Sequence, residues 1–539
     1  MTRRDLLTLA ALAATTGIVT HADDAKAADD GNIAAPAPPA WKWEEVTFRQ
    51  LADALAAGQI SAVSLTRTYL DRIASIDRAG PTLNSIIELN PDAAAIASAL
   101  DGERKTKSTR SPLHGLPILV KDNLDTHDRM MTTAGSMALL GSIAPRDSFI
   151  VERLRAAGAV LLGKTNLTEW ANFRGSHSTG GWSGRGGLTR NPYALDRNPS
   201  GSSSGSAVAV AAGLCAAAIG TETNGSIVSP CAVCGVVGLK PTVGLVSRAG
   251  IIPIAQSFDT AGPIGRCVAD VAAVLSAIAG PDPRDPATEP SRDKLSADYT
   301  SFLTPDGLRG ARLGVARQFF PAAGGLADSA YKSALESLKT AGATLIEVPK
   351  LGDLDKIGNA NYEVMLFEFK AGLNAYLAGI DSKIPHRTLA ELIAFNQKNL
   401  STELHWFGQE IFQNAQEKGP LTEKAYLDAI AKCHEFSRAK GIDAVMDENK
   451  LDALVAPSGG PAAVSDLIYG SRGVGGSSTP AAVAGYPNIT VPAGDVLGLP
   501  VGLSFFGRAW SEPVLLRLAH AFEQQTHARK IPTYVATIS

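Results

Sequence analysis

Three short stretches of this 539-residue chain carry residue types that could do chemistry at a useful spacing. Gly158-Ala-Val-Leu-Leu-Gly-Lys-Thr165 matches the phosphate-loop pattern letter for letter. Such a loop needs a strand before its first glycine and backbone amides free to face a phosphate. Here a helical pattern runs into Gly158 and the would-be loop, Ala159–Leu162, reads as an apolar strand, so nucleotide binding is set aside. Gly201-Ser-Ser-Ser-Gly205 matches the nucleophile-elbow pattern with Ser203 at its centre. An elbow follows a strong strand, whereas the approach from Asn191 to Pro199 is crowded with turn residues. The histidines an elbow would need downstream (His386, His405, His434, His520, His527) stand in no informative context. The third stretch is Gly220-Thr-Glu-Thr-Asn-Gly-Ser-Ile227. Its Gly225 allows a tight turn that points the amides of Thr223, Asn224, Gly225 and Ser226 inward, the nest an oxyanion hole requires.

The elements around these stretches alternate between strand and helix. Residues 45–77 show helical spacing, with Leu51, Leu55, Leu65, Leu70 and Ile73 facing inward. Pro117-Ile-Leu-Val120 is a buried strand that ends on Lys121. Ser148 to Gly158 is a helix closed by glycine, and Ala159–Leu162 the next strand. Residues 172–205, dense in Gly, Ser and Asn, are loop. Ser206–Ala212 is a small-residue helix stopped by Gly213, and Ala216–Ile219 is again strand. From about 281 to 440 the pattern becomes largely helical, including a helix that turns Tyr331, Ala334, Leu335 and Leu338 to one face. This stretch reads as a helical elaboration on an α/β body, which resumes after about 451.

Composition narrows the partners. A net charge of −3 offers no basic surface for nucleic acid and no polybasic membrane patch, which leaves a small-molecule or peptide partner. Residues 1–27 read as a twin-arginine export signal: Arg3-Arg4, an apolar run to Val19 too short to span a bilayer, and Ala25-Lys-Ala27 as the cleavage site. Removal takes three basic and three acidic residues, so the charge of the mature chain is unchanged. Residues 28–40, rich in Ala and Pro, form a flexible linker, and a periplasmic or secreted protein is expected. Five cysteines imply no disulfide framework, and Cys231-Ala-Val-Cys234 lacks a second pair to complete a metal site. No cofactor or metal is called for.

The serine segments do not stand alone. Pro199-Ser-Gly-Ser-Ser-Ser-Gly-Ser-Ala207, Gly220–Ile227 and Gly235-Val-Val-Gly-Leu-Lys-Pro-Thr242 together resemble the signature of the amidase signature family. Pro112-Leu-His-Gly-Leu-Pro-Ile-Leu-Val-Lys-Asp-Asn123 is similar to that family's lysine segment. Gly163-Lys-Thr-Asn-Leu-Thr-Glu169, Asp259-Thr-Ala-Gly-Pro263 and Gly485-Tyr-Pro-Asn-Ile-Thr-Val-Pro-Ala-Gly494 follow in the family's order. The resemblance covers roughly residues 45–280 and 450–530. Around Trp170-Ala-Asn-Phe173 and Gly181-Trp182 it is closest to the bacterial peptide amidase branch.

The resemblance implies a single large α/β domain over residues 41–535, with a mixed, twisted β-sheet flanked by helices. It also implies a Ser226–Ser202–Lys121 triad. Ser226 would be acylated, with Ser202 relaying its proton to Lys121, and the Gly201–Ser202 peptide would be cis. A hydroxyl nucleophile needs a base, and no histidine in the matched serine segments competes for that role. Lysine can act only when neutral, although its unperturbed pKa is about 10.4. Burial at the end of an apolar strand lowers that value, and strand alternation would turn Asp122 the other way. The expected reaction is hydrolysis of a carboxamide or amide bond, with peptide C-terminal amides or other small amides as substrates. Asn172 and Trp182 in the matched loop are candidate substrate contacts.

The sequence departs from the family in two places. The serine loop reads Ser200-Gly-Ser-Ser-Ser-Gly205 where many members have more glycine, which makes Ser203 and Ser204 neighbours of the relay, and counting back from Gly205-Ser206-Ala207 assigns that relay to Ser202. Asn224 replaces the Asp favoured in the peptide amidase branch, which leaves that branch's substrate preference open. Two other functions share the signature: an amidotransferase subunit passing ammonia to a partner enzyme, and a non-catalytic binding protein. An export signal disfavours the first, because its charged-tRNA substrate is cytosolic. Retention of Lys121 and Ser226 disfavours the second.

Overall fold

The computed structural model describes residues 41–106 and 108–538, so the export-signal and linker segments lie outside the described residues. One mixed sheet of 11 strands organises the chain. In chain order the strands are β1 (Ile86–Leu89), β2 (Pro117–Lys121), β3 (Val160–Thr165), β4 (Ala217–Glu222), β5 (Val237–Lys240), β6 (Thr260–Gly265), β7 (Arg312–Ala316), β8 (Thr344–Val348), β9 (Ala453–Gly459), β10 (Asn488–Val496) and β11 (Leu499–Phe506). Their spatial order is β1-β3-β2-β4-β6-β5-β10-β11-β9-β7-β8. β2 pairs in parallel with both β3 and β4, the run β4-β6-β5-β10-β11-β9 is antiparallel throughout, and β9-β7-β8 is parallel.

Every residue of β2, β3 and β4 is buried, as expected for central strands covered on both faces. Helices Phe149–Ala156, Ser204–Ala211, Val268–Ile278 and Glu512–Thr526 supply the cover. The helix Ser204–Ala211 consists of Ser, Gly, Ala and Val and is buried on all sides, so it packs close to the sheet. That closeness brings the serine loop before it up to the end of β2. The segment that mimics a phosphate loop is indeed helix, turn and strand: Gly158 is the left-handed turn (φ 82°) between Ala156 and β3. Its lysine, Lys164, is buried and donates to the Leu124 carbonyl and to Thr132 Oγ1.

Two expectations need correction. The helical spacing of residues 45–77 spans two α-helices, Phe48–Ala56 and Ala62–Arg72, broken at Gly58 (φ 68°), and a π-helical turn over Ile73–Asp77. Leu51, Leu55, Leu65 and Ile73 are buried, whereas Leu70 is only half-buried. Residues 281–440 are largely helical, as expected, but they also contribute β7 and β8, which the sequence reading does not foresee, to one edge of the main sheet. These strands are five residues each and lie between helices, so their pattern is lost in the helical signal. The remainder, chiefly helices Gly358–Ala378, Leu389–Lys398, Glu410–Gln416 and Lys424–His434, packs a hydrophobic cluster of its own. That cluster is completed by Trp170, Phe173, Ile252 and Phe258 from the body. Among the described residues no helix is long and apolar enough to cross a membrane.

Candidate active site

Lys121 is the last residue of β2, and its side chain is sealed from solvent. Its Nζ lies 2.8 Å from Ser202 Oγ, 3.1 Å from Ser203 Oγ, 2.8 Å from Thr221 Oγ1 and 3.3 Å from the Thr221 carbonyl. None of these partners is a carboxylate. Burial therefore dominates and lowers the lysine to about 7, against the smaller opposing pull of Asp259 and Glu222. Asp122 points away, as strand alternation requires: its Oδ2 accepts from Thr133 Oγ1 and the Gly135 amide.

The two adjacent serines differ in what their hydroxyls are free to do. Ser203 Oγ donates to the Thr221 carbonyl at 2.9 Å and accepts from the Thr221 amide at 3.1 Å. One hydroxyl proton and both lone pairs are thus committed to Thr221 and Lys121. Ser204 Oγ is similarly tied to the Ser200 carbonyl at 2.6 Å. Ser202 Oγ has Lys121 as its hydrogen-bond partner among the described residues, which leaves its proton free for transfer. The Gly201–Ser202 peptide is cis.

Ser226 lies alongside this loop, because the Ser203 amide donates to the Ser226 carbonyl at 3.1 Å. It sits in the turn between β4 and the helix Val228–Val233. Glu222 Oε2 caps that helix by accepting from the amides of Ile227 (2.8 Å) and Val228 (3.0 Å). The amides of Asn224, Gly225 and Ser226, by contrast, have no acceptor among the described residues. Gly225 takes the left-handed turn (φ 86°) that aligns them. The flanking side chains are held: Thr223 Oγ1 donates to Asp259 Oδ1 at 2.5 Å, and Asn224 Oδ1 accepts from Ser478 Oγ at 2.8 Å. Burial pushes Asp259 up to about 6.

A cleft of about 760 Å³ opens beside Thr221, Glu222 and Thr223 and runs past Asn123, Ala171, Asp259 and Tyr376. A smaller hollow of about 100 Å³ lies at Gly201, between Asn172, Ser200 and Arg472. The structure thus gathers Lys121, Ser202 and Ser226 with the Thr223–Ser226 turn, and it places Asn172, exposed, at the edge of the smaller hollow. Trp182 is a correction. It is buried against Phe407 and the Arg174 guanidinium and lines neither cavity. In the matched loop it reads as a candidate substrate contact, but Phe407 covers it from 225 residues further along the chain. Sequence reasoning missed Thr221 and Asn123, whose Nδ2 donates to Thr221 Oγ1 at 3.1 Å. Both stand inside the motifs, and only the third dimension joins them.

All five cysteines are free, and burial raises the thiols of Cys231 and Cys234. Among the described residues no cluster of three or more His, Cys, Asp or Glu side chains could hold a metal ion.

The amidase family model matches residues 64–516. The solved structure of the native peptide amidase from Stenotrophomonas maltophilia is 50% identical, with a TM-score of 0.87 over 91% of this chain and 99% of that one. A probable amidase of Arabidopsis thaliana is 42% identical over 502 residues, 92% of each chain. The A subunit of the Chloroflexus aurantiacus glutamyl-tRNA(Gln) amidotransferase is 36% identical over 490 residues, 88% of this chain and 95% of that one.

Proposed function

This chain belongs to the amidase signature family and is an amide-bond hydrolase, and we propose that it works through an acyl-enzyme on Ser226 with Lys121 as the base. The observation that carries this reading is the buried Lys121, 2.8 Å from Ser202 Oγ and lowered to about 7. Ser226 Oγ attacks the amide carbonyl and passes its proton to Ser202, which passes its own to Lys121. The negative charge that grows on the carbonyl oxygen is met by the amides of the 223–226 turn. When the C–N bond breaks, the proton returns from Lys121 through Ser202 to the leaving nitrogen. Ammonia or an amine departs and the acyl group stays on Ser226. Water then attacks the ester by the same relay, which releases the acid and restores the lysine.

Peptide C-terminal amides, or other small amides, are the substrates this reading favours. It is supported by the likeness to a peptide amidase and by a cleft of about 760 Å³, ample for a short peptide. The 36% identical amidotransferase subunit supports a second reading, delivery of ammonia to a partner. The two are separated by assaying the purified chain alone for ammonia release from peptide, aryl and fatty amides. Turnover of peptide amides without a partner supports the first reading, and its absence with every amide contradicts it. Export through the twin-arginine signal belongs to the same proposal. A mature periplasmic chain beginning at Ala28 would support it, and an unprocessed cytosolic chain would not.

A further inference from the structure

Residues 170–172 separate the two cavities: Ala171 lines the large cleft and Asn172 the small hollow over Gly201. All three have left-handed backbone, with φ of 50°, 52° and 72°, and none is glycine. L-residues rarely hold this conformation in a row, so the surroundings must impose it.

The residues flanking the run do so. Glu169 Oε2 and Arg174 Nε lie 2.9 Å apart with both side chains wholly buried, closing the loop at its base, and the Glu169 carboxyl, pushed well up by burial, also hydrogen-bonds the Glu403 carboxylate. Arg174 also donates to the main-chain carbonyl of Glu403. The Glu403 carboxylate accepts from the Met137 amide at 2.8 Å. Gly184 leaves room for both acids: a Cβ there would meet the two Glu403 oxygens at 3.0 and 3.2 Å and Glu169 Oε1 at 3.3 Å. Phe407 lies 4.1 Å from the guanidinium, and Phe412 meets the Trp170 ring edge-on at 5.7 Å. Glu403, Phe407 and Phe412 come from the helical elaboration, more than 200 residues away in sequence.

We propose that Glu169, Arg174 and Glu403 form a positioning clasp through which the helical elaboration presents Ala171 and Asn172 to the acyl portion of the substrate. The proposal rests on the amide-hydrolysis reading. None of the three residues touches the reacting atoms. Their role is to fix the wall that an extended peptide amide must pass, and a minimal amide that stops at Ser226 does not reach it.

A buried ion pair can be replaced by apolar side chains with little loss of stability, whereas removal of one partner strands a charge. This separates positioning from support. Arg174→Met and the double variant Glu169→Leu with Arg174→Met are compared with the wild type. The measurements are thermal midpoints and the KM and kcat of N-acetyl-alanyl-phenylalaninamide and of propionamide. Arg174→Met is expected to lower the midpoint and the double variant to recover part of it, because the buried Glu403 keeps the Met137 amide but loses its neighbours. In both, KM for the dipeptide amide should rise ~10-fold or more, with propionamide changed less than ~3-fold. If the single variant does not fold, the double variant alone decides. Recovery of wild-type KM together with the midpoint would overturn the clasp, as would equal losses on both substrates. Failure of the wild type to release ammonia from either amide would instead overturn the amide-hydrolysis reading. The clasp would then be judged by protection of Ser226 from a fluorophosphonate by the dipeptide amide, in the wild type against the double variant.

Discussion

Ser203 Oγ and Thr221 are joined by two reciprocal hydrogen bonds, the hydroxyl donating to the carbonyl at 2.9 Å and accepting from the amide at 3.1 Å. This pairing fixes which of the neighbouring serines can move a proton. It commits the Ser203 hydroxyl and leaves that of Ser202, bonded to Lys121, as the one the proposed relay uses.

Ser226→Ala is therefore expected to abolish acyl-enzyme formation, and Ser202→Ala to cost several orders of magnitude while keeping slightly more activity, because water can partly fill the gap. Ser203→Ala should mainly lower the thermal midpoint, by about 1–3 kcal/mol of stability, because it strands the buried Thr221 amide. Steady-state rates set beside thermal melts check this. A larger rate loss for Ser203→Ala than for Ser202→Ala would put the relay on the wrong serine.

Gly225 holds a φ of 86°, and a Cβ there would stand 3.0 Å from Ser478 Oγ. Gly225→Ala is expected to displace the inward-facing amides and reduce kcat about 10²-fold or more, the scale of losing one oxyanion donor. KM should change little. A variant with kcat close to wild type would show that the turn does not stabilise the oxyanion.

Lys121 should also cost the protein stability. Its pKa falls from 10.5 to about 7 on folding. Between those values the unfolded chain binds more protons than the folded one, so this contribution to stability rises with pH across that window. Below about 7 the full penalty of burying the ammonium is present. Lys121→Met is thus expected to melt at a higher temperature than wild type at pH 7, with the gain shrinking as pH approaches 10.5. Thermal melts at both pH values check it, and a gain that stays constant would mean that folding does not shift the lysine's titration.

Much of this was legible in the sequence because the chemistry clusters in short, ordered motifs. The apolar run ending on Lys121, the turn at Gly225 and the small-residue helix expected at Ser206–Ala212 and found at Ser204–Ala211 follow what their composition implies. What escaped depends on contacts between distant segments. Trp182 reads as a candidate substrate contact until Phe407 is packed against it. The left-handed run at Trp170–Asn172 has no glycine to announce it, and Phe412 and, through Arg174, Glu403 pack against it from another part of the chain. β7 and β8 were hidden because five-residue strands between helices leave no periodicity of their own.

The central claim is that a neutral Lys121 takes the proton of Ser226, and the most direct measurement is the pH dependence of kcat/KM for wild type and Lys121→Arg on one amide substrate. Wild-type activity should rise through a single titration near the lysine's lowered value of about 7 and hold into the alkaline range. Because that value lies close to an unperturbed histidine, about 6.5, the arginine variant decides the assignment. Arginine keeps the charge and much of the reach but does not release its proton. Lys121→Arg should be nearly as inactive as Lys121→Ala at every pH. Substantial activity in the arginine variant, with the same titration retained, would contradict the claim and reduce Lys121 to an electrostatic support.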